Sequence, residues 1–313
     1  MSPPLVSILI PCYNAAPWLA ATLESALAQT WRNTEIIIVD DGSTDSSRDI
    51  AQPFTARGVQ LIAQPNAGAS AARNRALRAA RGDYFQFLDA DDLLSPNKLA
   101  AQLAVLADRA PGSLATCRWG RFEHNLDNAR FVDEVVFRDF APVEYLLLHT
   151  REARMMHPAA WLVPRSVADC AGPWDERLSL NDDGEYFARV VLASAGIAFT
   201  PDPAAASYYR SGIGNSLSQR RSAAALASLA LSAELITAHL TAAEDSLRTR
   251  AALADYWQRL VYELYPGDVT ASRAASLRVR DLGGSRLPPP MGARQRLLSR
   301  LLGWRLVRRL FPS

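Results

Sequence analysis

The sequence is poor in cysteine, with only Cys12, Cys117 and Cys170 among 313 residues. Their odd number and wide separation exclude a zinc-finger spacing and a disulfide framework, and fit a reducing cytosol. No secretory leader is expected, because no basic stretch precedes the apolar run Leu5–Ile10, which is itself too short for one. Long hydrophobic runs are scarce. Only Ser222–Leu240 approaches the length of a membrane span, and it is rich in Ala and Ser, carries Glu234 and His239, and spaces its Leu residues as a helix does. It reads as a core helix rather than a span. There is no internal repeat and no large excess of charge, the formal net charge being +2. Basic character is confined to the C-terminal stretch, which argues against nucleic acid as a partner.

What is present is the composition of a chain that can bury a large core: 49% hydrophobic and 21% charged residues. The first hundred residues alternate strand and helix signals. Val6–Ile10, Glu35–Val39, Val59–Ile62 and Tyr84–Leu88 read as strands; Ala16–Gln29, Ser43–Ala56 and Gly68–Ala80 read as helices, with Ser43 or Thr44 as cap of the second. Such repeats imply a mostly parallel sheet with helices on both faces, where ligands sit beyond the carboxyl ends of the strands. The polar clusters Pro11–Asn14, Asp40–Ser43 and Asp89–Asp92 all fall there. Beyond residue 113, Ser113–Trp119 and Arg130–Val136 read as strands and Val143–His149 as a helix, Ala223–Tyr265 reads as helices, and Asp281–Pro290 as a linker.

Asp89, Asp91 and Asp92 directly follow an apolar strand. Carboxylates this close repel one another unless a cation or solvent lies between them, and Mg²⁺ or Mn²⁺ held by one or two carboxylates plus phosphate oxygens would relieve the repulsion. An acidic helix cap is the other reading of these three residues, since Ser95-Pro96 opens a helix. The Asp40-Asp41-Gly42-Ser43 strand end and Asn66-Ala67-Gly68, which leads into a helix bearing Arg73 and Asn74, favour a site. Glycine permits close backbone approach, and an Arg on that helix is placed to neutralise a diphosphate.

In order along the chain, Ile8–Asn14, Ile38–Asp45, Asn66-Ala67-Gly68 with Arg73-Asn74, and Gly82-Asp83-Tyr84 leading to Leu88–Asp92 resemble the motifs of family-2 inverting glycosyltransferases of the GT-A fold. The resemblance is close over residues 5 to 110 and weaker to 215. It implies an α/β, Rossmann-like, mostly parallel sheet with flanking helices and a C-terminal helical extension. It divides the chain into a nucleotide-sugar half (1–112), an acceptor half (113–218), a helical extension (219–280), and a linker with a basic tail (281–313). By the same resemblance Pro11, Tyr13 and Asn14 line the base and ribose pocket and Asp41 bonds the base. Asn66 and Gly68 shape the donor loop, Arg73 approaches the pyrophosphate, and Asp89 and Ala90 face the ribose or donor sugar. Asp91 ligates the metal, Mn²⁺ or Mg²⁺, with Asp92 in support.

Gly172–Tyr186 resembles the family's acceptor-side segment, in which an acidic pair precedes a helix. That implies a general base at Asp183 or Asp182, with Glu185, Trp174 and His157 on the acceptor side. Tyr208–Ser211 with Ser216-Leu217-Ser218 resembles a late loop near the diphosphate, where Arg210 supplies charge. The processive members of the family carry membrane spans and a Gln-x-x-Arg-Trp motif, and neither is found. The expectation is therefore transfer of a single sugar from a nucleotide-diphosphate donor, such as a UDP-sugar, to a saccharide or lipid-linked acceptor in cell-surface polysaccharide synthesis. A catalytically silent sugar-nucleotide sensor or membrane-docked scaffold is the rival. The expected location is cytoplasmic. The tail, in which Arg294, Arg296, Arg300, Arg305, Arg308 and Arg309 alternate with Leu, Trp and Phe, either lies on the inner membrane face or packs on the body.

Overall fold

The computed structural model describes residues 3–153, 156–213 and 222–311. Its centre is a five-stranded sheet in the order β3-β2-β1-β4-β9. These strands are β1 (Val6–Cys12), β2 (Thr34–Asp40), β3 (Val59–Ala63), β4 (Tyr84–Phe87) and β9 (Val163–Pro164). The first four are parallel, and β9 closes the edge antiparallel to β4. Strand β1 is buried on both faces, which is why its sequence is a continuous apolar run rather than an alternating one. The order reverses between β1 and β4, so the loops that leave these two strands bound one crevice. Register aligns Cys12 with Asp40 and Leu9 with Phe87, which brings all three polar strand ends to the same edge.

Helices α1 (Leu19–Leu27), α2 (Ser47–Ala51), α3 (Ala69–Ala79) and α4 (Lys98–Ala107) flank this sheet. Helix α2 is shorter than its sequence implies, because Pro53 removes a donor and the chain tightens into a 3₁₀ turn over Gln52–Arg57. Its N-cap is Ser46 rather than Ser43 or Thr44; the Ser43 hydroxyl instead accepts the Asn14 N–H.

A second sheet, β5-β11-β7-β8, is formed by Leu93–Leu94, Ala206–Arg210, Arg118–Phe122 and Arg130–Phe131, and a parallel pair joins β6 (Leu114–Thr116) to β10 (Ile197–Phe199). The single strand expected over Ser113–Trp119 therefore breaks at Cys117 into two strands of different sheets, and that over Arg130–Val136 keeps only its first two residues. Each half lends a strand to the other: β5 belongs to the first hundred residues and β9 to the second hundred. The largest apolar cluster likewise joins Leu9, Ile37 and Phe87 to Trp161, Trp174 and Tyr186.

Helices α5 (Pro142–Glu152), α6 (Arg165–Ala171) and α7 (Asp182–Ala193) cover the second half. A separate apolar cluster unites α8 (Ala223–Ala243), α9 (Leu247–Leu264) and α10 (Val269–Asp281). Helix α8 is long and apolar enough to cross a membrane by length and composition. In this fold it lies against α7 and α9, with Leu226, Leu229, Ala233, Ile236 and Leu240 buried. The tail forms α11 (Ala293–Leu302) and α12 (Trp304–Leu310), separated at Gly303, whose φ of 76° breaks the helix.

Candidate active site

The first strand end is tied to the second by Asn14. Its side-chain oxygen accepts the Thr44 N–H at 2.8 Å and the Asp45 N–H at 3.3 Å, and its own φ of 51° is one that Asn tolerates well. Tyr13 stands beside it half-exposed. Asp41 is buried and organises the third side of the crevice. Its Oδ1 accepts Gln64 Nε2 at 2.7 Å and the Ala67 N–H at 2.9 Å; its Oδ2 accepts the Gly68 N–H at 2.9 Å and Asn66 Nδ2 at 3.2 Å. The carboxylate thus shapes the Asn66-Ala67-Gly68 turn that opens α3. Gly42, at φ +72°, packs so tightly on this turn that a Cβ would lie 2.8 Å from the Asn66 nitrogen.

Arg73, on the buried face of α3, joins the two acidic segments. One terminal nitrogen donates to Asp89 at 2.8 Å and the other to Asp182 at 2.7 Å. The guanidinium lies over the Trp174 ring at 4.5 Å, and that ring is stacked on Tyr186 at 4.0 Å. Burial works against the charge on Arg73, but Asp89 and Asp182 outweigh it and keep the group ionised. Ser70, one turn earlier on the same face, donates to the same Asp182 oxygen at 3.1 Å. Asp183, next along the first turn of α7, accepts only the Gly184 N–H among the described residues. Burial and the adjacent Asp182 charge push its carboxyl above the ordinary range.

At the third strand end, Asp91 and Asp92 differ sharply. Asp92 is fully buried, accepts the Arg210 N–H at 2.9 Å and lies 3.1 Å from His157 Nδ1. Asp91 has no side-chain donor on its carboxylate among the described residues. Burial, then Asp92, then Asp89 push its pKa up to about 7. The Arg210 Nε donates to the Asp91 carbonyl at 2.9 Å, and its charge opposes that rise. Among the described residues no three His, Cys, Asp or Glu side chains form a closed metal cage. One unengaged carboxylate in a crowded acidic cluster does fit a hard cation that takes its remaining ligands from phosphate and water. The helix-cap reading of this cluster does not hold, since Asp89–Asp92 form a turn leading into β5 and α4 is capped at Asn97.

Comparison with known proteins agrees with this architecture. Residues 7–171, just over half of the chain, match the family described as Glycosyl transferase family 2. This chain belongs to that family. An uncharacterized glycosyltransferase of Rickettsia typhi is 30% identical over 196 residues, covering 61% of this chain and 60% of the relative. A putative teichuronic acid biosynthesis glycosyltransferase, TuaG of Bacillus subtilis, is 42% identical over 110 residues, or 34% of this chain and 44% of TuaG. The matched region thus spans less than two thirds of these relatives' length. Among solved structures, S. aureus TarS in complex with UDP-GlcNAc superposes with a TM-score of 0.63 at 18% identity, covering 88% of each chain. The mannosyltransferase PcManGT of Pyrobaculum calidifontis, in complex with GDP-Man and Mn²⁺, superposes at 0.50 with 16% identity, covering 98% of this chain and 86% of that one. The fold is that of GT-A enzymes: a mostly parallel sheet, flanking helices and a helical C-terminal region.

The tertiary structure redistributes several side chains within this family site. His157 is withdrawn from the acceptor side: it is 1% exposed, its Nε2 is 2.9 Å from Ser207 Oγ, and Trp119 and Tyr209 pack on its ring. Burial lowers its pKa to about 3, so it stays neutral. Trp174 is likewise buried and serves as the platform beneath Arg73 rather than as an acceptor contact. Glu185 points away from the crevice to Arg189 at 2.7 Å and His239 at 3.1 Å. Arg73, expected against the pyrophosphate, is engaged by Asp89 and Asp182 instead. Ala90 is buried and contributes its carbonyl to Thr22 Oγ1 at 2.9 Å. Pro11, Tyr13, Asn14, Asn66, Gly68 and Asp89 are all at least partly exposed, at or just beyond the carboxyl ends of β1, β3 and β4; Ser216-Leu217-Ser218 lie outside the described residues.

Other contacts complete the site, one of them through Asn74, which the sequence already marks as part of the motif. Asn74 brackets Trp174 by accepting its N–H at 2.8 Å and donating to its carbonyl at 2.9 Å, 100 residues away. The Ser179–Asn181 loop, which delivers Asp182 and Asp183, is held by α8. Ser228 Oγ accepts the N–H groups of Ser179 and Leu180, and Asn181 Nδ2 donates to Ser232 Oγ at 2.5 Å and Tyr256 Oη at 3.3 Å. Beyond Asn74, only the i, i+3 spacing of Ser70 and Arg73 was open to detection from sequence.

Proposed function

We propose that this protein transfers one sugar, with inversion, from a nucleotide-diphosphate donor of the UDP-sugar class to a saccharide or lipid-linked acceptor in envelope polysaccharide synthesis, acting in the cytoplasm. The observation that carries the reading is the Arg73 bridge, which fixes the donor-side carboxylate Asp89 and the acceptor-side carboxylate Asp182 to one cation. The motifs that define the two substrates' sides then face one crevice. Tyr13 and the Asn66–Gly68 turn border the nucleotide side. Asp91 is the residue that would hold Mn²⁺ or Mg²⁺, which when bound supplies charge stabilisation for the leaving diphosphate.

The base follows from what each carboxylate already does. Asp182 is occupied by Arg73 and Ser70, whereas Asp183 keeps oxygen capacity and a raised proton affinity. Asp183 takes the acceptor hydroxyl proton as that oxygen attacks the anomeric carbon and the bond to the diphosphate breaks. The UDP-GlcNAc complex of TarS supports the UDP-sugar class, and the GDP-Man complex of PcManGT supports a nucleotide-diphosphate sugar in general.

The test is sugar transfer by Asp183→Asn, a near-isosteric change that removes the proton acceptor. Transfer should fall by about 10²–10⁴-fold, while the thermal shift produced by UDP-sugar with Mn²⁺ stays that of the native protein. Full transfer by the variant would remove Asp183 from the role, and absence of any donor-dependent thermal shift in the native chain would remove the donor class.

A further inference from the structure

The break at Gly303 resolves the basic tail into two helices with separate faces. Over α11, at about 100° per residue, Leu297, Leu298, Leu301 and Leu302 fall within an arc of about 140°. Gln295, Arg296, Ser299 and Arg300 fill the opposite side; Arg294, in the first turn, is the one basic residue on the leucine side. Much of this apolar face stays open to solvent, with Leu298 and Leu302 still 37% and 48% exposed. No residue of α11 is buried, and Leu297 and Leu301 are 65% and 85% exposed. Helix α12 behaves differently: Val307 is buried and Trp304 meets Tyr262 and Tyr265 edge-on at 5.0 and 5.2 Å.

A ten-residue helix is marginal in water unless its apolar face finds a partner. Charge identifies that partner. Residues 282–313 contain Arg286, Arg294, Arg296, Arg300, Arg305, Arg308 and Arg309 and no Asp or Glu. Among the described residues none of these arginines is in an ion pair. Two copies meeting leucine to leucine would bring arginines together with no local acidic residue to answer them.

We infer that α11 is a membrane-docking helix whose Leu297-Leu298-Leu301-Leu302 face enters a leaflet rich in anionic phospholipid, with α12 riveting it to the body. Arginines along its edge and on α12 face the headgroups, an arrangement suited to an interfacial helix lying in the membrane plane. The inference does not depend on the chemistry proposed for the crevice, and its test uses no sugar donor.

The test is co-sedimentation of the full chain with phosphatidylglycerol–phosphatidylethanolamine vesicles and with phosphatidylcholine vesicles. The native chain should partition onto the anionic vesicles, release at high salt, and leave the neutral ones largely unbound. Leu297→Ser with Leu301→Ser should lower partition about tenfold or more. Arg296→Gln with Arg300→Gln should lower it comparably and flatten the salt dependence. Both double variants should melt with the native chain, because all four substituted side chains are exposed. No partition, equal partition onto both vesicle types, or full partition by either variant would overturn the inference. So would a dimer in light scattering that the Leu variant dissociates, since the face would then belong to a second copy.

Discussion

Arg73 shows how one side chain can be worth more as a joint than as a ligand. Its two terminal nitrogens connect residues 16 and 109 positions away in sequence. Arg73→Met would leave Asp89 and Asp182 without their cation, a change expected to cost about 3–5 kcal/mol of stability, read by chemical denaturation. Arg73→Lys should recover only part, because a compact ammonium lacks the rigid fork whose two separate nitrogens reach the two carboxylates at once. A Lys variant as stable as the native protein would show that the fork geometry is unimportant. Asp183 carries a second expectation. Burial and the Asp182 charge raise its pKa, and a base works only when deprotonated. Transfer should therefore decline as pH falls through a point above the ordinary carboxylate range. Asp182→Asn removes the neighbouring charge and leaves that of Arg73, so the acid limb of kcat/KM should move to lower pH. A limb that stays put would uncouple the two aspartates.

At the scale of elements, α8 has the role that its sequence disguises. By length and composition it passes for a membrane span, and its Ala and Ser content, Glu234, His239 and Leu spacing are what mark it as a core helix. Those serines have specific partners: Ser228 and Ser232 hold the loop that places Asp182 and Asp183 at the start of α7. Ser228→Ala with Ser232→Ala should cost about 1–3 kcal/mol for each buried partner left unsatisfied. The catalytic consequence separates positioning from mere stability: kcat should drop at temperatures where the variant is fully folded, with the donor KM unchanged. An unaltered kcat would confine α8 to a structural role.

For the whole molecule, the two halves that flank the candidate site are interlocked by exchanged strands, whereas α12 is held through Val307 and Trp304. Trp304→Ala removes the ring that packs on Tyr262 and Tyr265. It should release α12 and make the tail susceptible to limited proteolysis, while sugar transfer to a soluble acceptor persists. Loss of transfer together with tail release would mean that the tail supports the crevice directly.

Local information was sufficient for the parallel core. Continuous apolar runs at Val6–Ile10 and Glu35–Val39, broken by polar clusters, can be satisfied only by strands buried on both faces whose ends emerge together. The ordered Asp41, Asn66–Gly68 and Asp89–Asp91 motifs were legible for the same reason: each lies within a few residues of a strand end. Tertiary structure alone decided which acidic and aromatic side chains reach the crevice. Asp182, Asp183 and Glu185 share one helical turn, yet α7 directs Glu185 to Arg189 and His239. His157 and Trp174 are polar-tipped residues of the kind found in sites, and burial took both. Side-chain type and spacing record what a residue can do. Its long-range partners, set by packing across a hundred residues, determine whether any of that capacity is left for a substrate.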